Sequence, residues 1–334
     1  MLSRPPRVLP TAVILSLLFL SSCASSPVQE RQMLVMDTIL RVVAYGRDVE
    51  AALEAALTEA RRLEALWDRH RQGSEIWRVN RSAGSEPVSV SPETVALLQA
   101  ALQFAELTGG ALDVTIGPVV DLWGFGSGEG RIPPGQLLRE ALHLVDYRKV
   151  RTDAERGTVG LAEEGMSLDL GAVAKGAAVD ALWSVLKEAG VRSALVDLGG
   201  NIRLLGSPPG RPEWLIGVQD PRDPSRLLGY LRLAGGAVAT SGDYQRYFMV
   251  GGRRYHHILD PRTGWPAAEV ASVTVWAPTA LQADALSTAL FVLGPERGYE
   301  MACSLPGVEA LFVLPGGQVK LTPGMQSVFR VNPP

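Results

Sequence analysis

Leu168-Asp169-Leu170-Gly171-Ala172-Val173-Ala174-Lys175-Gly176-Ala177-Ala178-Val179-Asp180 is the stretch that decides how the chain folds. Ahead of it, Val159-Gly160-Leu161 and Met166-Ser167-Leu168 flank a turn at Gly165 and read as extended segments. Behind it, Val173, Ala177, Ala181, Val185 and Ala189 recur at helical spacing until Gly190 stops the pattern. The stretch is therefore a strand-to-helix turn built from small residues, with a helix expected from near Gly171. The first N–H groups of a helix lack intrahelical partners and attract anions. Lys175, one turn in, adds a cation. Asp169 places the opposite charge just before the turn, which suits a metal ion, or a ribose or ring donor, rather than the anion itself. A P-loop is excluded, because Gly176 stands where GxxxxGK[ST] needs a hydroxyl. The competing structural reading is a tightly packed helix start carrying a surface lysine.

Outward from this turn, the chain divides simply. It has 334 residues, 46% of them hydrophobic, enough for a sizeable core. The formal charge of −3, with no basic block, argues against a nucleic-acid partner. Residues 1–22 read as a lipoprotein signal peptide. Arg4 and Arg7 precede an apolar run, Val8 to Leu20, too short for a comfortable membrane span. Leu20-Ser21-Ser22-Cys23 resembles the lipobox of bacterial lipoproteins, so Cys23 is expected to carry lipid and anchor the chain to a membrane of the cell envelope, facing the periplasm or the exterior. Residues 23–31 read as a tether, and one domain is expected over 32–334. Cys303, left without a partner for a disulfide or a metal pair, is expected as a core residue of a helical run from Gly298 to Leu305.

Within the domain, strands and helices mix without regular βαβ alternation. The expected class is α+β, with mixed, largely antiparallel sheets packed with helices. Two strand segments flank Met36-Asp37-Thr38. Asp48 is expected to cap a helix whose buried face is Val49, Leu53, Ala56, Leu57, Ala60, Leu63 and Trp67. Ser74 and Ser91 cap two further helices, the second with Pro92 at its first position. Gly110 to Gly126 reads as a glycine-punctuated loop, in which Trp123 and Phe125 suit a wall over a planar ligand. Glu129 stands where GxGxxG needs its third glycine, so a Rossmann fold is rejected. Ala194 to Leu205 is expected as a strand broken by Gly199-Gly200-Asn201, and hairpins are expected around Gly251-Gly252 and Gly316-Gly317. Thr279 caps a helix that runs to Leu293 and ends at Gly294-Pro295.

Few residues carry chemistry. Asp284 and Thr288, four apart on the Thr279 helix, point the same way and offer two hard oxygen ligands suited to Mg²⁺. His70 and His143 are isolated. His256 and His257 are strand neighbours facing opposite ways, so one of them at most serves a site. Thr240-Ser241-Gly242 lacks both glycines of the GxSxG elbow.

In chain order, Met36-Asp-Thr38, Gly110-Ala-Leu-Asp-Val-Thr-Ile-Gly-Pro118, Leu122-Trp-Gly-Phe125, Leu168 to Gly176, Leu198-Gly-Gly-Asn201, Ala239-Thr-Ser-Gly-Asp243, His257-Ile-Leu-Asp-Pro-Arg-Thr-Gly264 and Ala283-Asp284 with Thr288 closely resemble the FAD:protein FMN transferases of the ApbE type. The resemblance covers residues 33 to about 294 and implies a single ApbE-like domain. It implies Mg²⁺-dependent transfer of FMN from FAD to a threonine or serine hydroxyl of a partner protein, with release of AMP. It assigns Met36, Ala111, Leu112, Asp113, Asp169, Lys175, His257 and Ile258 to FAD, and the Ala172 carbonyl, Asp284 and Thr288 to magnesium. Lys175 and His257 are the candidate catalytic groups, with a carboxylate as an alternative base. The acceptor it suggests is a subunit of a flavin-bearing respiratory complex or an extracellular reductase. The chain departs from the family pattern at Asp37, where glycine is frequent, and at His70, where Tyr or Phe is frequent. FAD hydrolysis to FMN and AMP, and a non-enzymatic flavin-binding lipoprotein, are the competing functions.

Overall fold

The structure, a computed structural model, describes residues 27–125 and 130–331. Residues 1–22, Cys23 and Gly126 lie outside the described residues.

The chain opens with an antiparallel hairpin, β1 (Val28–Val35) and β2 (Thr38–Tyr45). β1 thus begins inside the stretch read as a tether, and Arg31 ion-pairs with Glu50 and Glu54. α1 (Glu50–Trp67) buries Leu53, Ala56, Leu57, Ala60, Leu63 and Trp67, as its periodicity requires. Its N-cap is Val49 with no side-chain bond, so Asp48 does not cap it. α2 (Glu75–Arg81) follows, then β3 (Val88–Ser89) and α3 (Pro92–Leu107). Ser74 and Ser91 cap α2 and α3 through Trp77 N and Thr94 N. Part of the expected glycine loop is helical, as α4 (Gly117–Trp123), and α5 (Gly135–Leu142) packs beside it. β4 (Val150–Asp153) and β5 (Thr158–Leu161) complete a small sheet with β3.

The long helices follow. α6 (Ala174–Glu188) starts three residues later than expected from Gly171, because residues 171–173 form a turn. It buries Gly176, Ala178, Val179, Leu182 and Leu186. The small residues Ala177, Ala181 and Val185 sit at its half-buried flank instead. β6 (Ala194–Leu198) and β7 (Asn201–Leu205) form a hairpin through Gly199 and Gly200, both at positive φ. β8 (Trp214–Gln219) pairs with β9 (Leu227–Leu233), a strand not expected from the sequence. β10 (Gly236–Gly242) leads to the hairpin of β11 (Tyr247–Val250) and β12 (Arg253–His256). β13 (Ser272–Ala277) precedes α7 (Ala280–Ser304), capped by Thr279 through Gln282 N. α7 kinks at Gly294 (φ 80°), followed by Pro295, and then resumes. β14 (Glu309–Val313), β15 (Val319–Leu321), α8 (Pro323–Val328) and β16 (Phe329–Val331) end the described chain.

An eight-stranded antiparallel sheet, in the order β1-β2-β6-β7-β10-β13-β14-β15, forms the centre. Alternate residues of its strands feed two cores. Ala237 and Ala239 of β10, with Ala310 and Phe312 of β14, join the core under α1, α6 and α7. Val238, Leu311 and Val313 face the other way, onto the three-stranded sheet β16-β9-β8. The class is α+β, as expected, and no Rossmann sheet is present among the described residues. Cys303 is exposed on the second half of α7, not in the core, because that half turns Gly298 and Ala302 inward and leaves position 303 on the outer face.

α6 and α7 cross closely at Gly176. A Cβ built there would fall on the Ala280 carbonyl oxygen and lie 2.7 Å from Asp284 Cβ. Gly176→Ala is therefore expected to destabilise the fold by about 1–3 kcal/mol through overpacking. Thermal unfolding would show this as a lowered Tm; an unchanged Tm would mean that the helices yield without cost.

Candidate functional site

Each side chain of the site is placed by a local device. Asn80 of α2 reads the backbone of Leu168 in both directions, Nδ2 donating to its carbonyl at 3.0 Å and Oδ1 accepting its N–H at 2.7 Å. Asp169 N donates to the Val114 carbonyl at 2.7 Å, and Ile116 bridges Ser167, which brings loop 110–117 against the central turn. Gly117 is needed there, since a Cβ would clash with the Ser167 backbone. Asp113 braces this loop. Its Oδ1 accepts Thr115 N at 2.8 Å and Thr115 Oγ1 at 2.6 Å, and its Oδ2 accepts Tyr147 N at 2.9 Å. Burial pushes its carboxyl up, and those three donors oppose the shift.

These elements meet in a cleft of about 820 Å³, open to solvent. Ala111, Leu112, Asp113, Asp169, Ala172, Lys175, His257, Ile258, Asp284 and Thr288 all line it. Thus ten of the eleven residues singled out in the sequence converge, from four separate segments. The exception is Met36. It occupies the β1–β2 turn with φ 50°, and its N–H donates to Glu64 at 2.6 Å. Its turn neighbour Thr38 packs on Gly199, which does line the cleft. Asp37, where the family often has glycine, also sits at positive φ (57°), which aspartate tolerates better than most residues.

Trp123 does not face a ligand. It is fully buried, its Nε1 donating to the Gly264 carbonyl at 2.8 Å, within rings from Phe125, Phe248, Tyr255 and Trp265. This cluster backs the wall of the cleft formed by Ile116, Val120 and Leu259. His70 and His143 are both exposed and outside the cleft.

At the floor, Asp284 is 5% exposed. Its Oδ2 accepts Gly176 N at 2.9 Å, and Lys175 Nζ lies 3.7 Å from its Oδ1. Burial pushes the Asp284 carboxyl up, against the pull of Lys175 and the Gly176 N–H. Lys175 Nζ also donates to the Gly171 carbonyl at 2.8 Å. Thr288 Oγ1 lies 3.2 Å from Ser241 Oγ, which also bonds Ser287 Oγ at 2.9 Å. Ser241 is thereby tied into the seam between β10 and α7. Among the described residues no group of three His, Cys, Asp or Glu side chains is placed to hold a metal. The Asp284 carboxylate and the Thr288 hydroxyl, both lining the cleft, are hard oxygens, which fit a hard cation and not zinc.

The two adjacent histidines differ in what their rings have left to offer. His256 Nε2 must donate to the Ala267 carbonyl at 2.7 Å, and its Nδ1 accepts Ile258 N at 3.3 Å. Both nitrogens are used, and the ring packs edge-on against Phe291. His257 Nδ1 faces the Arg246 carbonyl at 3.2 Å. A carbonyl only accepts, so Nδ1 carries the proton and Nε2 keeps its lone pair. Burial, with Arg246 nearby, lowers the His257 pKa to about 4.

Arg69 is the residue that pattern reading misses. It reaches from the loop after α1 to Asp169 Oδ2 at 3.0 Å and to Asp121 Oδ2 at 2.8 Å. Nothing in its local sequence marks it, because its partners are 52 and 100 residues away.

Residues 36–312 match the family model described as the ApbE family. The chain belongs to the ApbE family. It is 41% identical to the FAD:protein FMN transferase of Treponema pallidum, over 90% of this chain and 88% of that one. It is 37% identical to a FAD:protein FMN transferase of Klebsiella pneumoniae, over 84% and 87%. Among solved structures, the ApbE protein of Thermotoga maritima superposes with a TM-score of 0.86 at 37% identity, covering 91% of this chain and all of that one. The flavinyl transferase ApbE of Pseudomonas stutzeri superposes with a TM-score of 0.82 at 31% identity, covering 92% and 99%.

Burial lowers the pKa of both histidines. In the unfolded chain they titrate near 6.5. As pH falls below that value the unfolded chain takes up protons that both folded rings resist, His257 until about pH 4. Stability is expected to fall across this window. His257→Gln should flatten the loss, read as the urea midpoint against pH; an unchanged slope would contradict the assignment.

Proposed function

We propose that this chain transfers FMN from FAD to a threonine or serine hydroxyl of a partner protein and releases AMP. The observation that carries the reading is the convergence of Lys175, Asp284, Thr288 and His257 in one cleft, from helix α6, helix α7 and the segment after β12. Its relatives bear the name of that activity.

FAD would lie along the walls made by Ala111, Leu112 and Ile258, with Asp169 addressing a polar donor of the nucleotide. Asp284, Thr288 and the Ala172 carbonyl would hold Mg²⁺, which when bound neutralises charge on the pyrophosphate. Lys175 sets a second positive charge beside it, where charge grows as the phosphate bond breaks. His257 Nε2, neutral at pH 7, takes the proton from the acceptor hydroxyl. The hydroxyl oxygen bonds the FMN phosphorus, and AMP leaves with the electron pair of the broken P–O bond. The half-buried Lys175 beside the buried Asp284 carboxylate keeps the floor electrically balanced until the substrate arrives.

The lipobox-like Leu20-Ser21-Ser22-Cys23 supports a lipid anchor on Cys23, which would hold the domain at an envelope membrane, on the periplasmic or outer side. A membrane-bound acceptor, such as a respiratory-complex subunit, is the partner that this placement favours.

The test is to incubate the chain with FAD, Mg²⁺ and a candidate acceptor subunit and to read flavin fluorescence on a denaturing gel. A fluorescent acceptor band is expected. FMN and AMP in solution with no labelled protein would overturn transfer in favour of hydrolysis. Asp284→Ala is expected to abolish turnover. His257→Asn should lower kcat about 10²- to 10⁴-fold, the usual contribution of a general base.

A further inference from the structure

Asp169 is half-buried in the cleft wall, a carboxylate beside the place where a doubly charged pyrophosphate is proposed to bind. Left alone it would repel that anion. It is not alone: Arg69, its side chain 11% exposed, donates from Nη1 to Asp169 Oδ2 at 3.0 Å. Gly171 N takes the other oxygen, Oδ1, at 2.9 Å. Nη2 of the same guanidinium donates to Asp121 on α4 at 2.8 Å, with Ser167 Oγ at 3.4 Å. One planar fork thus spans the central turn and the helix that carries Val120 of the cleft wall. A lysine could not hold both partners in that geometry.

We propose that Arg69 is a positioning residue for FAD binding. It neutralises Asp169, fixes its rotamer, and leaves the second lone pairs of the carboxylate turned to a donor on the nucleotide. Arg69 does not touch the reacting atoms, so its effect falls on affinity and not on the chemical step. This rests on the reading of Asp169 as an FAD contact.

The test compares Arg69→Gln, Arg69→Lys, Asp169→Asn and Asp121→Asn as full chains, by FAD titration of tryptophan fluorescence and by steady-state kinetics. Arg69→Gln is expected to weaken FAD about ten- to a hundredfold, the range for losing a charge-assisted hydrogen bond. Its kcat at saturating FAD should stay within about threefold of the wild type. Arg69→Lys should recover part of the affinity. Asp121→Asn should stay within about twofold, because that carboxylate is 55% exposed and its pair is screened. Arg69→Gln with unchanged KM, or with kcat and Tm falling together at constant KM, overturns the proposal. If Asp169→Asn weakens FAD while Arg69→Gln does not, Arg69 fails and the reading of Asp169 stands. If Asp169→Asn also binds FAD like the wild type, the reading of Asp169 fails and the proposal with it.

Discussion

Two helices hold each other's first turns. Asp284 of α7 accepts the N–H of Gly176 at the start of α6. Asp180 of α6 accepts the N–H groups of Ala280 and Leu281 at the start of α7, at 2.8 and 3.0 Å. Helix starts leave N–H groups without partners, and a carboxylate there answers both the hydrogen bonds and the dipole. Here the capping is reciprocal, so neither helix can shift without uncapping the other. Arg203 then balances Asp180 at 2.5 Å while its guanidinium stacks on Trp183. The arrangement demands close approach, which only a glycine at position 176 permits.

The site hangs on this lock. Asp284 can serve a ligand with one oxygen because the other is anchored to α6, and Lys175 stands one residue before the anchoring N–H. Thr288 comes with it on the next turn. The remaining parts are fitted around the pair: the loop braced by Asp113, the Asn80 clamp on Leu168, and His257 at the end of β12, its tautomer set by the Arg246 carbonyl. A buried carboxylate 5% exposed is costly unless paired, and Lys175 and Gly176 offset that cost before any substrate enters.

Much of this was readable along the chain. Ser74, Ser91 and Thr279 cap helices where the residue types say they should, since a side-chain oxygen meeting an N–H two or three residues on is a local event. The glycine pair at 251–252 turns its hairpin for the same local reason, positive φ, whereas the strand break expected at Gly199-Gly200 proved to be a full turn that pairs β6 with β7. Periodicity gave both the helix and the buried face of α1; for α6 it gave the helix up to Gly190 but not the buried face, because small residues populate several faces and the hydrophobic signal does not choose among them. Trp123 looked like a ligand wall and proved to be the centre of an aromatic cluster, because ring partners from 248, 255 and 265 cannot be seen from its own neighbourhood.

The sequence by itself determined the class of fold, the capped helices, the hairpins and the family, all of which depend on local chemistry or on motifs in fixed order. Only the tertiary structure decided which face of α6 is buried, that Cys303 is exposed, that Met36 stands off the cleft, that His257 rather than His256 has a nitrogen to spare, and that Arg69 holds Asp169. Each of those depends on groups brought together from distant parts of the chain, and burial and hydrogen-bond saturation are properties of such a meeting and not of any one segment.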